Sequence, residues 1–172
     1  MDFNLITKIE NCQTLIGQAP LNLIYYSHIP TAILSLVVGF FVLFKSKFSL
    51  LGKLLFFISI SFSLWVVCSL ITWTSSNSIL TMTAWSFFGT LTILIFLLCL
   101  YFIYIFAGKT VFPLYLKLVS VFFLIPAILA TPTALNLTSF DSTNCEATEG
   151  KLFLNYYYIV SIIIFFGSEI WA

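Results

Sequence analysis

The sequence predicts an all-α fold: a polytopic transmembrane helix bundle of about five spans, N-terminus outside and C-terminus cytoplasmic. Three observations lead there. The 172 residues are 61% hydrophobic and only 8% charged, against about 45–50% and about 25% in an ordinary soluble domain. The charges fall in clusters separated by long uncharged gaps. The lysines crowd the ends of alternate gaps. A soluble fold of this size cannot hide so much apolar surface. Seven lysines, no arginine and six acids leave a net charge of +1. That balance lacks the basic footprint of a nucleic-acid binder.

The gaps place the spans. A helix crossing the hydrocarbon core, about 30 Å thick, needs about 20 mostly apolar residues. No charge lies between Glu10 and Lys45, which holds one span at about 21–44. Lys53 to Lys109 holds two, at about 54–73 and 79–106, because Thr74–Ser78 is a polar break. Lys117 to Asp141 holds one at about 115–130, and Lys151 to Glu169 one at about 154–171. Residues 1–20 then form an extracytoplasmic segment and 21–172 the membrane bundle, with an outer loop at 131–152. Open strands cannot span lipid, which leaves backbone groups unpaired. Runs such as Leu91–Leu98 lack the alternation of a barrel strand. Pro30 predicts a regular first helix from about Ile29. Pro126 and Pro132 predict a kink and then a stop in the fourth, since proline cannot donate to the preceding turn.

Orientation follows from the lysines, which gather on the cytoplasmic side. Lys45, Lys47, Lys53, Lys109 and Lys117 share one face, and only Lys8 and Lys151 the other. Tyr25, Tyr26, Trp73 and Tyr156–Tyr158 fall at outer boundaries, as aromatic belts do. Trp65 and Trp85 lie deeper and are expected to pack between helices. The acidic, polar start is unlike a signal peptide, so the first span is expected to stay as an anchor. The cellular expectation is a multi-pass protein of the plasma membrane, with the lipid bilayer as its first partner.

Candidate chemistry is sparse. Cys68 and Cys99 lie within spans and read as small packing residues. Cys12 and Cys145 both fall outside the membrane, where disulfides persist; a Cys12–Cys145 bridge and two free thiols are both open. His28, the one histidine, sits near an outer boundary and reads as an interfacial residue. Glu169 lies at the inner end of the fifth span, within reach of the interface. The outer loop carries acids and hydroxyls, and Asp141, Asn144, Glu146 and Glu149 form a candidate ligand loop, since loops on a rigid scaffold carry recognition. Asn136–Thr138 matches a glycosylation sequon, a short pattern common by chance. Phosphate-loop and zinc-protease motifs are missing, and no Ser/His/Asp set can converge. No catalytic residue, cofactor or metal site is expected, and the chain does not read as an enzyme. Ser59, Ser61, Ser63 and Ser69, with Ser86, Gly89, Thr90 and Thr92, suit close helix contacts in a packed bundle without a pore.

The helical pattern, Trp65 and Trp85, and above all the segment Pro132–Gly150 running into Leu152–Tyr158, resemble the N-terminal seven-transmembrane sensor region of bacterial histidine kinases. The resemblance covers about Leu21 onward. It implies signal reception in a two-component system and transmission to a cytoplasmic output, as a homodimer joined through helix packing. The stimulus stays unnamed. The family's last two helices, phospho-accepting His domain and ATP-binding domain have no counterpart here, so the expectation is a sensor truncated after about five helices. The alternatives are a small transporter or permease fragment, which flux into liposomes discriminates, and a membrane-embedded enzyme or assembly factor.

Overall fold

The computed structural model describes residues 21–75, 77–108, 113–141 and 146–171. Cys12, Lys109, Asn144 and Cys145 lie outside them, and with them the question of a Cys12–Cys145 bridge. Five helices run in order: α1 (Leu21–Lys45), α2 (Leu50–Thr74), α3 (Ser78–Phe106), α4 (Leu114–Ala130) and α5 (Lys151–Trp171). Between α4 and α5 stand two short strands, β1 (Leu137–Asp141) and β2 (Glu146–Glu149). Helices α1, α2 and α3 are long and apolar enough to cross a membrane. Helix α4 has 17 residues, about 26 Å at about 1.5 Å per residue, the low end of the length that crosses a bilayer. The apolar, described part of α5, Lys151–Gly167, is of the same class.

Helix ends follow the local chemistry. Ser49 caps α2, its hydroxyl accepting from Gly52 N. Asn77 caps α3, its side-chain oxygen accepting from Ile79 and Leu80. Both satisfy donors that the first turn leaves unpaired. The cap at Ser49 explains why α2 begins at Leu50 and not near 54: Lys53 sits inside its first turn. Helix α1 likewise overrides the expected start at Ile29 and runs through Pro30. Pro30 leaves Tyr26 O without its usual donor; on either side of that carbonyl the Thr31 hydroxyl donates to Ser27 O at 2.6 Å and the Ser27 hydroxyl to Ile24 O at 3.0 Å. Pro126 likewise sits inside α4. It leaves Phe122 O without its usual donor, and the Tyr156 hydroxyl of α5 donates to the adjacent Phe123 O.

The register between helices is antiparallel along α1–α2–α3. Ser35 Oγ donates to Ser59 O and Ser63 Oγ to Ala32 O, both at 3.1 Å, and His28 Nε2 shares a hydrogen bond with Ser69 Oγ at 3.2 Å. Descending α1 positions thus meet ascending α2 positions. Helix α3 is the hub, touching α2, α4 and α5. Ile93 and Leu97 of α3, Ala127 of α4 and Phe153, Val160 and Ile164 of α5 form the buried core. Elsewhere the buried set is rich in hydroxyls, including Ser59, Ser61, Ser63, Ser69, Thr81 and Ser86. Many large apolar side chains outside that core point outward: Phe41 is 65% and Phe122 70% exposed. Small residues inside and phenylalanine outside is the arrangement of helices associating in lipid.

The fold departs from the all-α expectation in the segment 131–152. There β1 and β2 pair antiparallel, Asp141 opposite Glu146 and Phe140 opposite Ala147. Within Leu137–Asp141 only Leu137 and Phe140 are partly covered, three positions apart, because an irregularity in the pairing between Leu137 and Ser139 interrupts the period of two. The hairpin is anchored by Asn136, only 2% exposed. Its Nδ2 donates to Ser86 O at 2.8 Å and Thr131 O at 3.3 Å, and its carbonyl accepts from Gly150 N at 2.7 Å. In this fold the amide of the sequon residue Asn136 is buried and already hydrogen-bonded. Asn136→Ala should cost about 2 kcal/mol, the range for stranding buried hydrogen-bonding groups, read as a lower unfolding midpoint in detergent.

A second link fastens α3 to α4. Thr90 Oγ1 lies 2.6 Å from Thr131 Oγ1 and 3.1 Å from Ala127 O. Hydrogen bonds between membrane helices average only about 0.6 kcal/mol each. Thr90→Val should therefore cost no more than about 1 kcal/mol, in the same unfolding measurement.

Candidate functional site: an aromatic cavity below the hairpin

The antiparallel run brings the C-terminus of α2, the N-terminus of α3, the C-terminus of α4, the hairpin and the N-terminus of α5 to one end. Lys45, Lys47, Lys53 and Lys117 lie at the other. Among the described residues the hairpin end holds three carboxylates, Asp141, Glu146 and Glu149, against one lysine, Lys151. Beneath it opens a cavity of about 400 Å³, within the about 300–1,000 Å³ span of small-molecule sites. At this end the helices leave an open cleft between them. Small residues let the helices approach at Ser69 and Gly89, but the bulky rings beside them cannot close the remaining space.

Each wall has its own origin. Helix α2 contributes Trp65, Ser69 and Trp73; helix α3 contributes Trp85, Phe88 and Thr92; helix α5 contributes Phe153, Tyr157 and Tyr158. Phe88 organises the ring cluster, with Trp65 at 5.5 Å and Trp85 at 5.4 Å, both edge-on. Such T-shaped contacts satisfy the ring quadrupoles. Phe153 reaches under the cavity because Gly89 leaves room: a Cβ built at Gly89 meets Phe153 Cε1 at 2.5 Å. Trp85 Nε1 is buried without a hydrogen-bond partner. Glu149, the last residue of β2, lines the mouth and is exposed.

The structure distributes the expected ligand loop. Glu149 joins the cavity wall. Asp141 and Glu146 face each other across the far end of the hairpin ladder, away from that wall. His28, expected as an interfacial residue, is half-buried and bonded to Ser69, itself part of the wall, so α1 touches the site through one polar contact. Sequence reasoning missed the tryptophans as a set. Their signal lies in the polar break: Trp65 and Trp85 stand at similar distances on either side of it, and a tight antiparallel connection levels such pairs.

Among the described residues no group of three His, Cys, Asp or Glu residues can hold a metal ion. The cavity can enclose a small organic molecule, offering aromatic faces, the Ser69, Thr72 and Thr92 hydroxyls, and one carboxylate. No family model, no curated protein and no solved structure matches the chain.

Proposed function

We propose that the chain is the signal-input region of an integral membrane receptor, without catalytic activity of its own. In this reading all five helices cross the bilayer, with the hairpin end outside and the lysine-rich end in the cytoplasm. The observation that supports it is a ligand-sized cavity shared by three helices, with Glu149 of the hairpin at its mouth. A ligand there touches α2, α3 and α5 at once. It shifts their arrangement only by binding one arrangement better than another. The His28–Ser69 bond carries such a shift to α1. The likeness to the seven-transmembrane sensor region of histidine kinases fits this reading; phospho-acceptor and ATP-binding parts would then act from outside these residues. Homodimerisation through the apolar outer faces belongs to the same proposal.

Two measurements test it. Single cysteines at Lys47 and Thr148, in a chain whose native cysteines are replaced, should label from opposite sides of intact cells, Thr148→Cys from outside. Labelling from one side overturns the topology. Purified chain in liposomes should pass no solute above empty vesicles; specific flux of a small solute would make the cavity a transport site and overturn the receptor reading.

A further inference from the structure

We propose that the cavity is built for an organic cation, a substituted ammonium group seated among Trp65, Trp85 and Tyr157 with Glu149 as its counter-charge. The proposal rests on the ligand-receiving reading above and names its ligand chemistry.

Aromatic ring faces carry negative quadrupole potential, and tryptophan is the strongest of them. Three of the chain's four tryptophans line this one cavity. Phe88 meets Trp65 at 60° and Trp85 at 79°, and Phe62 stacks on Trp65 at 6.4 Å, so the indoles are held in place by their neighbours at the cavity wall. The only carboxylate in the wall is Glu149, and no lysine joins it. An anion meets a carboxylate and ring faces that both repel it. An uncharged apolar guest leaves the carboxylate at the mouth without a purpose. A compact cation with a large radius, such as trimethylammonium, meets both features with attraction. The surrounding end adds to this, since its carboxylates outnumber its lysine among the described residues, which raises the local concentration of cations. The Ser69, Thr72 and Thr92 hydroxyls remain for the polar remainder of the ligand.

The test uses the full chain in maltoside micelles free of choline lipid, with tryptophan emission as the readout. Choline is titrated against dimethylbutanol, its uncharged isostere with carbon in place of nitrogen, at constant ionic strength. The expected result is a saturable emission change with choline and at least about tenfold weaker binding of dimethylbutanol, about 1.4 kcal/mol. Glu149→Gln, at an exposed position, should weaken choline about tenfold with an unchanged unfolding midpoint. Trp85→Phe should retain most of the affinity and Trp85→Leu should lose it. Equal binding of both probes, or full choline affinity in Glu149→Gln, overturns the cation assignment and leaves a cavity for another ligand class. No saturable response to either probe overturns it as well. Choline binding accompanied by choline flux overturns the receptor reading alone and keeps the cation site. Short-chain phosphatidylcholine competing more tightly than choline assigns the ammonium to a lipid headgroup; weaker competition assigns it to a free solute.

Discussion

Gly150→Ala should be the most destabilising single substitution at the hairpin end, costing about 3 kcal/mol. A Cβ there overlaps the carbonyl oxygen of Leu135 and comes within 2.8 Å of its carbon. The obstacle is backbone, so no rotamer change relieves it. Nor can the backbone retreat cheaply, because Gly150 N donates to Asn136 O at 2.7 Å and Asn136 is itself pinned to Ser86 and Thr131. Overpacking typically costs about 1–3 kcal/mol, and the upper end applies where the neighbour cannot move. Gly167→Ala supplies the control. A Cβ there meets nothing within 4 Å, and alanine is favoured over glycine in a helix by about 1 kcal/mol. The two variants should therefore move the unfolding midpoint in opposite directions. Equal midpoints for Gly150→Ala and the parent would show that the hairpin is not locked to the start of α5.

Gly89→Leu should have its largest effect on the cavity and a smaller one on stability. The added Cβ meets Phe153 Cε1 at 2.5 Å and Cζ at 2.8 Å, but these atoms are the far end of a side chain and can swing. Overpacking of about 1–3 kcal/mol is partly offset by leucine's better helix propensity, about 1 kcal/mol. The net cost should be about 1 kcal/mol. Phe153 and Gly89 both line the cavity, so the displaced ring and the new side chain fill its floor. Binding of the choline probe should fall at least about tenfold while the helical circular-dichroism signal is kept. Unchanged binding would place the ligand site elsewhere.

How much of this was legible beforehand depends on the element. The uncharged gaps located all five helices, with α1 and α3 ending within a residue or two of the expected bounds, because the presence of charge is a composition-level signal that needs no partner. Helix α2 began four residues early because Ser49 caps it, a local hydrogen bond that hydropathy does not register. Pro30 looked like a helix start, yet Ser27 and Thr31 hydroxyls occupy backbone carbonyls around it. The hairpin escaped because its strands are four and five residues long and depend on Asn136 finding Ser86, fifty positions away. The serines of α2 and the Ser86–Thr92 stretch of α3 were legible as contact residues, since small polar side chains in apolar helices have few other uses.

The site divides in the same way. Glu149 was picked out as an acid on a surface loop, and it lines the cavity; Asp141 and Glu146 carried the same signal and stand elsewhere. Composition and charge spacing by themselves determined that the chain is a set of apolar helices with acids gathered toward one end and lysines toward the other. Each of those properties belongs to a run of neighbouring residues. Only the tertiary structure decided that Trp65, Trp85 and Tyr157 share one cavity, that Gly89 makes room for Phe153, and that Asn136 is buried. These depend on helix register, which is set by which small residues meet across an interface and has no expression in any single stretch of chain.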